Sequence, residues 1–457
     1  MPPKPPHCIR RQYLDVEMQG SESDAFALQG KLAALLRQRL MPVIEQALDR
    51  YSPAQGILRI ERLDIDLGSI ALERLEQDLP QVLGQCVELA LDARLSRYGG
   101  SQPVSQDGPV QVIDSVQALD EGLAWFLRYG TLPCTLYLAS GMNLESTLVA
   151  AWRAAGSTSS LALAPLLLQA LAGQAALERL ARRFTARFHQ ALLSRLSSPA
   201  AAALGLGRQR LHAGVFPADR IRAERLLCQA AFTRVLQART CTAEDLVEDA
   251  MHLDKGASAT RTGTEGQYGA SEIPVEGVVT GATAEDHLSH ADEEEGIFIN
   301  NAGLVLLHPF LSRLFEALKL SEGESLLQPG RALVLLHLLA SGQVQAPEYE
   351  LALPKLLCGL PLTANVDIDL VLGAEEIDEA QGLLEAVIGH WTALRNTSSD
   401  GLRGTFLMRP GKLARRNGEW LLQVEQQTVD ILMSELPWGV SAVRLPWMEQ
   451  ILWVEWA

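Results

Sequence analysis

The chain lacks most of the features that announce chemistry. Its six cysteines (Cys8, Cys86, Cys134, Cys228, Cys241 and Cys358) include no CxxC pair, and a chain of 457 residues needs no disulfide framework. Reduced thiols are the expectation. Aromatic residues make up only 5% of the chain. The opening MPPKPPHCIRR has no apolar core, so Sec-type export is not expected and folding in the cytosol is the default. Leu161 to Leu177 is the most apolar run, but it falls short of the ~20 residues a spanning helix needs. Pro165, Gln169, Gly173 and Gln174 also interrupt it, so it reads as a buried helix hairpin and not as a stable membrane span.

Catalytic fingerprints are missing too. Gly205-Leu206-Gly207 has Arg210 where a dinucleotide loop needs its third glycine, and no strand leads into it. Gly411-Lys412 is followed by Leu413, and Phe406 stands where a phosphate loop would begin. No GxSxG elbow and no HExxH helix occur. His287 and His290, beside Asp286 and Asp292, have ligand-like spacing but lie in a polar stretch that does not preorganise a metal. His308, His337 and His390 sit in apolar helical patterns, where packing histidines are the simpler reading. Asn396-Thr397-Ser398 reads as a loop turn, since no export signal accompanies this glycosylation pattern. No catalytic residue, metal or cofactor is therefore expected, and the protein reads as a non-enzyme.

What is present is unevenly spread. The formal charge of −16 looks like a statement about partners until it is divided along the chain. Residues 241–295 hold fourteen acids against Lys255 and Arg261, a net of −12, which leaves −4 for everything else. The acidity belongs to one segment, and no basic stripe points to nucleic acid. Six of the eight tryptophans (Trp391, Trp420, Trp438, Trp447, Trp453 and Trp456) fall in the last 67 residues, so that end is built differently.

The hydrophobic pattern predicts a mixed α/β chain, predominantly helical, in four parts. Residues 8–97 read as a small β-α-β-α unit. Its first strand is 12–18, where Leu14, Val16 and Met18 alternate with acids. A helix with a Leu28-to-Leu48 stripe follows, kinked near Pro42, then a strand over 56–68 with a bulge at Glu61 and Arg62, then a second amphipathic helix. A polar stretch from Tyr98 to Pro109 separates this unit from a helical middle over 112–240. Frequent glycine and proline there favour short hairpins over one rod, and no heptad is sustained. Residues 241–295 read as a disordered acidic linker, too poor in large apolar groups to offset the entropy of ordering. Residues 296–457 read as a tryptophan-rich α+β domain. Its helices are expected near 308–320, 330–341 and 374–395, and its strands near 419–425 and 450–456.

In this last domain LPWGVSAVRLPWMEQILWVEW, residues 436–456, repeats Leu-Pro-Trp at a spacing of nine. Each Pro-Trp pair fixes a corner, so Trp438 and Trp447 are assigned to the structural core. Trp453 and Trp456 lie on a terminal strand read as turning both to one face, which makes them the candidate partner interface.

Several long stretches resemble the tape measure proteins of contractile injection systems, which are phage-tail-like particles. They are EGIFINNAGLVLLHPFLSRLFEAL (295–318), PEYELALPKLLCGLPL (347–362), HWTALRNTSSDGLRGTFLMRPGKL (390–413), LPWGVSAVRLPWM with the closing VEW, and RIERLDIDLG at 59–68. The resemblance implies a structural role, setting the length of the inner tube during assembly beside tube, baseplate or hub proteins. It implies no catalytic residues. Assembly in the cytoplasm is expected, with a place in the finished particle and homo-oligomerisation left open. The alternative is a cytosolic assembly chaperone or adaptor that holds a tube or baseplate subunit through its tryptophan-rich end. A literal ruler has a dimension to meet: residues 112–240 as one helix would reach ~190 Å, whereas the punctuated pattern predicts much shorter pieces.

Overall fold

In a computed structural model the chain is described over residues 7–96, 110–262 and 296–456, apart from 10–11, 19–20, 22–27, 29–30, 33–34, 54–55, 134, 137, 139–141, 156–159 and 215–219. It divides into two compact units, residues 1–119 with 151–155, and residues 120–150 with 156–457. It is predominantly helical with small sheets, as the pattern predicts.

In the first unit, helix α1 (Met41–Tyr51) follows a π-helical turn over Leu36–Leu40, in which the Met41 amide bonds the Leu36 carbonyl. Pro42 explains the wide turn, because its ring lacks an N–H and crowds the carbonyl four residues back. Helix α2 (Leu75–Ser96) buries Leu79, Leu83, Val87 and Leu91, one per turn, against Leu40, Ile44 and Ala47. The sheet differs from the expected one. Strand β1 (Ile57–Ile60) pairs antiparallel with β2 (Val110–Ile113), so its partner follows the polar stretch and does not come from residues 12–18. Buried Val110 and Ile113 supply the apolar contact, while residues 12–17 stay exposed and outside any ladder. The bulge expected at Glu61 and Arg62 is absent, since β1 ends at Ile60 in a bend.

Helix α3 (Ser115–Tyr129) and helix α4 (Leu144–Ala155) lead into α5 (Ser160–Ala170), α6 (Gln174–Arg183), α7 (Ala186–Leu196), α8 (Ser198–Gly214), α9 (Arg220–Leu236) and α10 (Ala243–Thr262). The helices are short because glycine, proline and capping residues recur. Thr185, for example, caps α7 by accepting from the Phe188 amide. Helix α10 corrects the linker boundary at 241. Leu246 and Ala250 are buried one turn apart, and Arg234 pairs with Asp245 at 3.2 Å and Asp249 at 2.5 Å. The mean acidity of the segment concealed this amphipathic turn. The rest of the expected linker, 263–295, lies outside the described residues.

The C-terminal region contains α11 (His308–Ala317), α12 (Pro329–Ser341), α13 (Ala352–Leu357), α14 (Ala374–His390) and α15 (Ser399–Leu402), with a hairpin of β4 (Ser321–Glu322) and β5 (Ser325–Leu326). Its main sheet has the order β3-β6-β7-β9-β8, built from Ile297–Ile299, Gly411–Arg416, Glu419–Val424, Leu452–Glu455 and Ala442–Val443. Strands β7 and β9 run parallel and the other neighbours antiparallel. Inward residues of the sheet, including Leu413, Leu422, Val443, Leu452 and Val454, join a core with the leucines of α12 and α13.

Candidate functional site

The tryptophans occupy distinct environments. Trp438 is half-buried, donates Nε1–H to the Leu306 carbonyl at 3.0 Å and meets Phe310 edge-on with centroids 5.2 Å apart. Trp447, also half-buried, donates to the Leu357 carbonyl at 2.8 Å and stacks on Phe315 at 5.2 Å. Gly359 permits that approach. It adopts φ +68°, and an added Cβ would lie 2.7 Å from the Trp447 oxygen. Trp391 and Trp420 are buried.

Trp453 and Trp456 do not share a face. They are three residues apart on a chain of period two, so Trp453 points outward with Glu455 while Trp456 follows Leu452 and Val454 inward. Trp456 is half-buried against the core and donates to Asp430 at 3.2 Å. Its ring lies 5.7 Å from the guanidinium carbon of fully buried Arg409, which also pairs with Asp430 at 3.0 Å. Trp453 is 42% exposed and donates to Glu419 at 2.6 Å.

The register of the sheet makes Trp453 the centre of a row. Ala414 on β6 faces Leu421 on β7, Leu421 faces Trp453 on β9, and Trp453 faces Ala442 on β8. These side chains lie on the outer face of the sheet. A second row beside it carries Phe298, Lys412, Gln423 and Glu455, with Gln423 bonded to Glu455 at 2.7 Å. Trp453, Ala442 and Phe298 are exposed, whereas Leu421 is half-buried and Ala414 buried, so the accessible apolar surface of this face centres on Trp453 and is edged by mixed charge.

Deep in the same unit is an assembly of charge that no sequence motif signals. The Glu348 carboxylate accepts from Arg179 Nε at 3.1 Å, Arg183 Nε at 3.0 Å and Lys355 Nζ at 3.0 Å. Spare donors reach carbonyls: Arg179 to Thr363 at 3.0 Å, Arg183 to Val366 at 2.6 Å and Lys355 to Leu362 at 2.8 Å. Asp369 at the rim takes Arg183 at 3.4 Å and also Arg225. Burial by itself would raise the Glu348 pKa, yet Lys355, Arg179 and Arg183 hold it down at about 2. Lys355 is shifted down by burial, against the pull of Glu348. Gly130, at φ +75°, leaves the needed room, because a Cβ there would stand 2.7 Å from Glu348 Oε1. The cluster ties α6 of the helical middle to residues 348–369. Its members are 52 to 186 residues from some of their partners, so local spacing could not reveal it.

The histidines resolve individually. His308 bonds the Val305 carbonyl at 2.9 Å, and burial lowers its pKa. His337 is buried, which lowers it to about 4. His390 is exposed on α14 beside Phe310. His287 and His290 lie outside the described residues. Among the described residues no group of three or more metal-ligating side chains converges, and no helix is long and apolar enough to cross a membrane.

The family model described as contractile injection system tape measure protein matches residues 6–456 of the chain. No curated protein and no solved structure matches it.

Proposed function

The chain belongs to the contractile injection system tape measure proteins, and from that premise we propose that it acts in particle assembly as a folded body that docks through the sheet face centred on Trp453. The buried Arg179/Arg183–Glu348–Lys355 cluster carries this reading. A ruler lying extended along the tube would have to part these charges, and breaking such a pair costs about 3–5 kcal/mol. The longest helices of the middle, α8 and α9, have 17 residues each, so each reaches only ~25 Å. The folded chain then sets length by where it anchors or ends the inner tube, not by its own contour.

The docking partner is a tube, baseplate or hub subunit, met in the cytoplasm during assembly. Trp453 is the expected anchor, since an exposed indole beside Leu421 offers a large apolar contact at small ordering cost. Trp456 serves the face from behind by fixing Asp430 and covering Arg409. No catalytic step is part of this role. The test is Trp453→Ala in the full chain, followed by washing and shearing of assembled particles. The variant should melt like the parent yet be missing from the particles, and normal incorporation would remove Trp453 as the anchor.

A further inference from the structure

Trp453 is exposed, yet its one polar atom is already engaged. Along β7 the side chains alternate, so Glu419 and Leu421 point to the same outer face, and the register sets Leu421 opposite Trp453. Glu419 is therefore the diagonal neighbour of Trp453, at a spacing that a long side chain can bridge. The bridge is made. The indole Nε1–H donates to Glu419 Oε2 at 2.6 Å, a short bond of the kind an ionised acceptor forms. Arg416, which faces Glu419 in the β6–β7 register, reaches toward Glu455 at 3.9 Å and leaves this carboxylate to the indole.

An indole nitrogen donates and cannot accept, so a bonded Trp453 has no polar demand left. A partner that offered it an acceptor would have to displace a carboxylate, whereas an apolar recess takes the ring as it stands. The bond also fixes the ring. Trp438 and Trp447 donate to main-chain carbonyls as they enter the core, but Trp453 is held by an exposed side chain while its ring stays 42% exposed. The contact therefore contributes orientation and little burial. A ring oriented before contact loses less rotamer freedom on docking. We propose that Glu419 is a positioning residue that presents Trp453 as an apolar anchor with its N–H already satisfied, and that the docking partner receives the ring in an apolar recess without an acceptor for the indole. This inference rests on the docking role proposed for Trp453 and names the chemistry that fits it.

The test uses the full-length protein, isotope-labelled at its tryptophan indoles for magnetic resonance, and measures the amount retained in washed particles. Glu419→Ala should melt like the parent, shift the Trp453 indole N–H resonance, speed its exchange with water and reduce incorporation about fivefold. Glu419→Gln, whose amide oxygen still accepts, should restore most of the resonance position and of the incorporation. Trp453→Phe keeps a ring and has no N–H, so it should stay within about threefold of the parent, where Trp453→Ala is missing from the particles. Trp453→Phe as poorly incorporated as Trp453→Ala would mean that the partner takes the N–H, and would overturn the recess. Parental incorporation of Glu419→Ala, an unmoved Trp453 resonance or a lowered melting temperature would overturn the positioning role. Normal incorporation of Trp453→Ala is a separate failure, which removes the docking reading and this inference with it.

Discussion

The first unit and the C-terminal region use the same ingredients, a small sheet against amphipathic helices, and differ in how their polar groups are closed. In the C-terminal region β6, β7 and β9 each have a neighbour on both sides. The indoles of Trp391, Trp438, Trp447 and Trp456 all find acceptors, and Arg409 and Glu348 are buried with opposite charges. In the first unit Leu63, Ile65 and Leu67 pack on a leucine core, while the backbone of residues 62–67 makes no backbone–backbone hydrogen bond to another described residue. Apolar periodicity is enough to bring a segment onto a core. Closing its backbone needs a hydrogen-bonding partner, and that partner is a non-local matter.

The sharpest break of this comparison is Glu348→Ala. It leaves Arg179, Arg183 and Lys355 without their shared anion in the interior, and should lower stability by about 3–5 kcal/mol. Thermal melting of the full chain reads this. The same group sets an acid limit. Its folded pKa of about 2 lies below the ordinary 4.5, so its stabilisation is complete above pH 4.5 and disappears as pH falls toward 2. Denaturant midpoints across that window should fall for the parent and flatten for Glu348→Gln.

Next in size is Trp456→Ala, which removes half-buried surface from the core and uncovers Arg409. About 2–3 kcal/mol is expected, less than for a fully enclosed tryptophan. Trp453→Ala, on the opposite face of the same strand, should cost under about 1 kcal/mol of stability but about 2 kcal/mol or more in partner binding. Equal melting losses for the two would erase the distinction between the faces. In the first unit Ile65→Ala should cost only about 1 kcal/mol, read by thermal melting, because its side chain is half-buried.

Much of the C-terminal region was legible in the sequence, since α11, α12 and α14 and strands β7 and β9 follow from apolar spacing in chain order. Trp438 and Trp447 were read as core residues from their proline corners; each is half-buried and has a carbonyl acceptor. The partner of β1 was not legible, because nothing local distinguishes Val110–Ile113 from the better-looking alternation at 12–18. Helix α10 was hidden by averaging charge over residues whose acids are in part neutralised by Arg234. Trp456 was misdirected by an error of parity: an interval of three reverses the face of a strand. The Glu348 cluster left no trace, because single charged residues in separate elements look like ordinary surface until the fold brings them together.

The central claim, that the chain acts folded and not as an extended ruler, is most directly tested by tube length. A flexible insert of about 30 residues placed between 263 and 295 adds up to ~100 Å of contour while leaving both described flanks intact. Tubes measured in electron micrographs of particles assembled with this variant should match the parent distribution. Tubes that lengthen in proportion to the insert would contradict the account.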